Sequence, residues 1–172
     1  MPVDAALRPR LERGEVVTDS EEGREGRKNA RAQFLVAAPP EKIWAAITDY
    51  DHYKDFMPYT TESRVVRRTE DEVWFATALG FSLKTVRYTI HLKLDEPKRR
   101  IEWTLIDGDL KHNDGGWQLE PYGDEGDTFV TYWAHVTPLV ALPSFIVNTV
   151  TRGSLPSLVE ALRKRVDDWK YV

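Results

Sequence analysis

The chain has 172 residues, enough for one domain with a real core and too few for two comfortable ones. Hydrophobic residues make up 41% and charged residues 30%, the balance of an ordinary folded domain rather than of a disordered or fibrous chain. The net charge of −4 supplies no basic field for nucleic acid or anionic membrane, and the absence of cysteine removes disulfides, thiolate metal sites and cysteine nucleophiles.

Residues 1–13 read as an irregular lead-in, because Pro2 and Pro9 discourage a long helix. Arg8, Arg10 and Arg13 are followed by no apolar run, so the segment is not read as a secretory signal. Glu15–Thr18 is a candidate short strand, and the polar stretch Asp19–Gly26 a turn or hairpin tip. The expected division is therefore a lead-in, strand or hairpin over 1–26 and the main domain over 27–172. Arg31–Ala37 reads as a strand. Pro39-Pro40-Glu41 then opens a helix, with proline near its first position and an acid in its first turn. Ile43, Trp44 and Ile47 share one face of it. Asp49-Tyr50-Asp51 interrupts that face and caps a second short helix, His52–Phe56, stopped by Pro58.

From Thr60 to Thr137 the period becomes two. Tyr88, Ile90, Leu92 and Leu94 alternate with Arg87, Thr89, His91 and Lys93, the pattern of a half-buried strand. Ile101, Trp103 and Leu105 form a second such set, Trp117 and Leu119 a third, and Val130, Tyr132, Ala134 and Val136 the last. Turn signals at 70–71, 96–98, 107–109 and 123–126 separate about six strands, and their shortness implies an antiparallel meander. After Pro138 the chain turns helical: Leu155, Leu158, Val159, Leu162, Val166 and Trp169 repeat at helical spacing. Ser144–Arg152 reads as an earlier part of the same helix, kinked or broken at Gly153 and Pro156. The most apolar stretch, Val136–Val147, carries Pro138 and Pro143 and is too short to span a bilayer. The resulting class is α+β: two short helices after the first main strand, then a curved six- to seven-stranded antiparallel sheet wrapped around a long C-terminal helix.

Ala37-Ala38-Pro39-Pro40-Glu41-Lys42-Ile43-Trp44, with Thr48-Asp49-Tyr50, Tyr53 and Phe56-Met57-Pro58, resembles the opening of the START-like superfamily of polyketide cyclase/dehydrase and coenzyme-Q-binding proteins. Gly115-Gly116-Trp117 and Asp127–Tyr132 resemble its late-strand pattern. The resemblance spans residues 28–170 and implies a helix-grip fold with a deep cavity. Its members include lipid and quinone carriers, aromatic polyketide cyclases, allergen-like ligand binders and ribosome-associated proteins. No catalytic motif carries over residue by residue.

The expected function is binding, with transport, of a lipid, quinone or polyketide-like molecule between the sheet and the C-terminal helix. The expected cavity lining is Tyr88, Ile90, Trp103, Trp117 and Tyr132 from the strands, with Phe145, Asn148 and Arg152 from the helical region. Large rings with a few polar tips suit an amphipathic ligand, although rings also simply fill interiors. A cyclase or dehydratase is the alternative, acting on an aromatic or polyketide substrate. It needs a polar group deep in the cavity, for which Arg87, Tyr88, His91 and Arg152 are the candidates. Arg87 and His91 lie in the wrong strand phase, so binding is preferred and no catalytic residue is assigned. A ribosome-associated or other interaction protein is the second alternative; the basic groups at 64–68, 98–100 and 163–165 read as solvated faces beside acids.

Asp107, Asp109, His112 and Asp114 have metal-like side chains but meet neither calcium nor zinc spacing, and Gly108, Gly115 and Gly116 point to a turn and a bulge there. No metal or cofactor is expected. No serine elbow, phosphate loop or dinucleotide fingerprint is present. The expected location is the cytoplasm, with transient peripheral membrane contact through 137–147 weighed equally against a connection packed on the core.

Overall fold

The computed structural model describes residues 3–23, 26–81, 83–139 and 154–168. Arg8–Glu12 is a short helix, α1, with Pro9 in its first turn, where a missing N–H breaks no helical bond. It is pinned through buried Leu11 and through the Tyr122 hydroxyl, which donates to Glu12 at 2.7 Å.

The candidate strand at Glu15–Thr18 starts later and runs longer than expected, into the first part of the stretch read as a turn or hairpin tip. β1 (Val17–Glu22) pairs antiparallel with β2 (Lys28–Val36), and Lys28 meets Glu22 in an ion pair across the hairpin. β1 is the sheet edge, so backbone pairing with β2 suffices and no apolar face is needed. Charged side chains on an edge also discourage further strand addition. This is why alternation does not reveal the full length of the strand, and why the sheet has eight strands rather than six to seven.

After β2, helix α2 (Pro40–Ile47) starts at extended Pro39 and buries Ile43, Trp44, Ala46 and Ile47, the face expected from their spacing. A single tight turn, Tyr50–His52, leads directly into α3 (Tyr53–Phe56). Asp49 joins this turn to what surrounds it. Its carboxylate meets His52 Nδ1 at 2.7 Å and Arg165 at 3.5 Å.

Six strands follow: β3 (Thr60–Arg68), β4 (Glu72–Phe81), β5 (Lys84–Asp95), β6 (Arg100–Gly108), β7 (Leu110–Tyr122) and β8 (Asp127–Pro138). The order across the sheet is β1-β2-β8-β7-β6-β5-β4-β3, with every neighbouring pair antiparallel. Only the β2–β8 pairing is distant in sequence. Thr61 and Val66 in β3, Ile106 in β6 and Lys111 in β7 are extra residues that shift the register. Bulges of this kind bend a strand and increase its twist, which suits a sheet that curves around its contents.

The expected bulge therefore lies before Gly115 and Gly116, not at them. Both glycines pair in regular register with β6 and β8. Gly115 is required by close packing: a Cβ there would stand 2.3 Å from the Trp133 carbonyl oxygen and 2.5 Å from the Trp103 ring.

The C-terminal helix α4 (Ser154–Asp168) runs along the concave side. Leu155, Val159, Leu162 and Val166 are buried along one stripe and join the core that includes Phe34, Trp44, Ile101 and Leu119. The helix contacts α2, α3 and β2. On its other flank, the Arg163 guanidinium donates to the Leu35 carbonyl at 2.8 and 3.2 Å and to the Gly14 carbonyl at 3.3 Å. Pro156 sits in the first turn of α4, where proline is tolerated. The expected earlier helical part Ser144–Arg152 and the break at Gly153 lie outside the described residues, as does Trp169.

Candidate functional site: a cavity under the sheet

Alternation directs one set of residues from each strand toward the concave face, but α4 covers only part of that face. A cavity of about 490 Å3 remains. Tyr88, Ile90 and Leu92 of β5 line it, with Trp103 of β6, Trp117 of β7 and Tyr132 of β8. α4 contributes Leu155 and Leu158, and the turn region before β3 contributes Tyr50, Tyr53 and Met57. Five residues expected from sequence, Tyr88, Ile90, Trp103, Trp117 and Tyr132, thus stand together on this wall. Phe145, Asn148 and Arg152 lie outside the described residues.

The wall is mainly hydrocarbon and ring. Tyr132 packs on Trp117 with ring centroids 4.7 Å apart and on Trp103 at 5.9 Å. Tyr50, Tyr53 and Phe75 form a second cluster with centroids 5.2–5.4 Å apart. At one end Tyr59 stacks on Phe81 at 5.3 Å. Such ring pairs are worth about 0.5–1.5 kcal/mol each beyond their burial, and they fix the shape of the space between them.

The polar groups that β3–β8 and the turn region bring to the wall are neutral among the described residues. Trp103 Nε1–H donates to Asn113 Oδ1 at 3.0 Å, and both side chains are buried. The Tyr53 hydroxyl donates to the Ile47 carbonyl. The Tyr50 hydroxyl is buried without a hydrogen-bond partner among the described residues, on a side chain only 2% exposed. Burial pushes the Tyr88 phenol up to about 12, with Asn113 hydrogen-bonding its oxygen and pulling the other way. Burial raises Tyr50, Tyr53 and Tyr132 as well, in each case as the main cause. These phenols therefore remain protonated at ordinary pH and act as hydrogen-bond donors, not as bases.

Charged side chains on the wall, among the described residues, are Glu21, Glu22 and Lys28 of the β1–β2 hairpin. Of the acid–base candidates proposed from sequence, Tyr88 is on the wall, Arg152 lies outside the described residues, and Arg87 and His91 lie elsewhere. Arg87 is on the outer face, where its side chain pairs with Glu62 and its N–H donates to Asp109 at 2.9 Å. His91 is also outside, stacked on Trp74 at 4.5 Å and bonded to Glu72 at 2.9 Å. The local bulge adds Ile106 to β6 and leaves the alternation of β5 intact, so neither side chain is turned inward. Of the metal-like group, Asp114 meets His135 at 3.6 Å, and no cluster of three such side chains able to hold a metal occurs among the described residues.

Sequence reasoning overlooked Tyr50, Tyr53, Phe75, Thr77 and Asn113 on the wall. Asn113 was legible, because it shares the phase of Gly115 and Trp117 along β7. Tyr50 and Tyr53 were not, because one starts the tight turn and the other opens the short helix α3, and their facing is set by how α2 and β3 meet.

A curved antiparallel sheet gripping a C-terminal helix around a mainly apolar cavity defines a helix-grip, START-like protein. The model of the family described as polyketide cyclase / dehydrase and lipid transport matches residues 36–163. The chain belongs to that family. Solved structures with the same fold include a protein from Thermus thermophilus, 22% identical, with a TM-score of 0.71 over 80% of this chain and 96% of that one. The Zhui aromatase/cyclase from a Streptomyces species is 15% identical, with a TM-score of 0.71 over 82% of this chain and 94% of its own. A STAR-related lipid transfer protein from Xanthomonas axonopodis is 17% identical, with a TM-score of 0.70 over 88% and 99%. At these identities the likeness establishes the fold.

Proposed function

We propose that this chain binds and carries a hydrophobic small molecule, of lipid, quinone or polyketide type, in the cavity between the sheet and α4. The carrying observation is a mainly apolar cavity of about 490 Å3 whose polar groups along β3–β8, among the described residues, are uncharged, the charged ones being confined to the β1–β2 hairpin. That volume lies within the range of small-molecule sites, and water gains few hydrogen bonds there, so an apolar ligand displaces it favourably. A cyclase or dehydratase is supported by the family description but not by the wall. Among the described residues no carboxylate or imidazole from β3–β8 or α4 reaches the cavity, and a phenol raised to about 12 is a poor base near neutral pH. The test is native mass spectrometry of protein purified from its own cells. A co-purifying apolar adduct is expected; no adduct, with no uptake of an added hydrophobic fluorophore, overturns the reading.

Transient membrane contact belongs to the same proposal. No helix among the described residues is long and apolar enough to cross a membrane. Leu83 is 84% exposed near the lining residue Phe81, and Leu139 is 57% exposed beside the lining residue Pro138. Exposed leucines next to a cavity wall suit brief insertion among lipid headgroups while the charged remainder stays in water. The proposed contact residues Val140 and Leu142 lie outside the described residues. A Leu83→Glu, Leu139→Glu double variant that remains folded is expected to transfer ligand between vesicles several-fold more slowly. Equal transfer excludes this contact.

A further inference from the structure

The polar atoms of the cavity form an ordered chain. Trp103 Nε1 can only donate, and it occupies Asn113 Oδ1 at 3.0 Å. The end of the Asn113 amide left for Tyr88 is then its nitrogen, which also can only donate. The Asn113 amide faces the Tyr88 oxygen closely enough to pull that phenol's pKa down against the effect of burial. A phenol that receives a hydrogen bond on its oxygen retains its own proton to give, and no acceptor for that proton is present among the described residues. Tyr132, packed on the rings of Trp103 and Trp117, likewise makes no hydrogen bond through its hydroxyl among the described residues. Tyr88 and Tyr132 are both only half-buried, and both line the cavity. The pair of donors therefore borders the space a ligand would fill.

The surroundings decide the charge of the matching group. A carboxylate or phosphate taken into an apolar site needs a counter-charge or a dense set of donors, and an unpaired one is expensive to bury. β3–β8 and α4 bring no cation to the wall among the described residues. The one lysine there, Lys28, is already paired with Glu22. A ketone, ester, ether or quinone oxygen carries no such penalty and accepts two hydrogen bonds.

Resting on the binding reading above, we propose that Trp103, Asn113, Tyr88 and Tyr132 form a recognition site for an uncharged oxygen acceptor on the ligand. Tyr88 and Tyr132 donate to it, Trp103 and Asn113 orient Tyr88, and anionic amphiphiles such as fatty acids are rejected.

Three probes of nearly equal shape separate the possibilities: 2-acetylnaphthalene, 2-ethylnaphthalene and 2-naphthoate. Their binding is followed by quenching of intrinsic tryptophan fluorescence, with calorimetry as a second readout. The ketone is expected to bind about tenfold tighter than the hydrocarbon, and the carboxylate weakest. Tyr88→Phe and Asn113→Leu should each weaken the ketone several-fold more than they weaken 2-ethylnaphthalene. Phenylalanine retains the ring, so the first variant keeps the packing; thermal unfolding of each variant confirms that it is folded. If the ketone and hydrocarbon bind alike, or the carboxylate binds as well as the ketone, recognition of a neutral acceptor is overturned while the cavity reading survives. If none of the three binds up to its solubility limit, both readings fall together.

Discussion

Trp44 is held at 7% exposure between helix and sheet, with the Arg99 guanidinium 5.6 Å above its ring. Its removal takes away a large apolar surface and leaves a void that neighbours cannot close, so Trp44→Ala is expected to cost about 3–5 kcal/mol. Urea unfolding followed by circular dichroism measures this, and a loss below about 1 kcal/mol would remove Trp44 from the core role. Gly115 makes the opposite demand. A methyl group at that position meets the Trp133 carbonyl oxygen, which belongs to the paired backbone of β8 and cannot swing away. Gly115→Ala is accordingly expected to destabilise by about 1–3 kcal/mol, the range for forcing extra volume into a filled site. Because the added carbon also presses on the Trp103 ring, the variant should show an altered tryptophan emission while still folded.

Among the elements, α4 decides whether the sheet encloses anything. Its apolar stripe joins the core, but the stripe alone leaves the helix free to slide along its axis. Arg163 removes that freedom by donating to the Leu35 carbonyl of β2 and the Gly14 carbonyl beyond α1. Burial lowers the Arg163 pKa, but an arginine remains charged far above neutral pH. Arg163→Met keeps much of the side-chain bulk and deletes the bonds, so a loss of about 1.5–3 kcal/mol is expected. Hydrogen exchange should report the loss as earlier opening of β2 and α4 together. A stability unchanged within about 0.5 kcal/mol would show that packing alone positions the helix. The same element-scale view explains β1: an edge strand held by backbone pairing and an ion pair carries no periodic apolar signal along its length.

For the whole molecule, the phenols of the cavity stay neutral over a wide pH range. Tyr88 is raised to about 12 from an ordinary phenol value of 10, and Tyr50, Tyr53 and Tyr132 are raised too. Each phenol therefore holds its proton longer in the folded chain than in the unfolded one. Stability is unaffected by them near neutral pH and falls as pH climbs above about 10, where the unfolded chain releases protons that the folded chain retains. Affinity for an uncharged ligand should correspondingly be flat between about pH 6 and 9. Titrating 2-acetylnaphthalene at several pH values checks this, and a midpoint inside that window would show that a group other than these phenols controls binding.

The sequence by itself determined the class of fold and the main wall of the cavity. Period-two alternation over β5–β8 names Tyr88, Ile90, Trp103, Trp117 and Tyr132 as one face, because strand geometry leaves a side chain only two directions. Proline at the start of α2 and the stripe on α4 are equally local signals. The tertiary structure alone decided the rest. The full extent of edge strand β1, of which only the start was read from sequence, is set once β2 offers it a partner. Tyr50 and Tyr53 become wall residues only when the turn between α2 and β3 is pressed beneath β4. The cavity itself is a difference between two volumes, the space inside a bulged, twisted sheet and the bulk of one helix stripe. No local pattern encodes that difference, since it depends on curvature summed over eight strands.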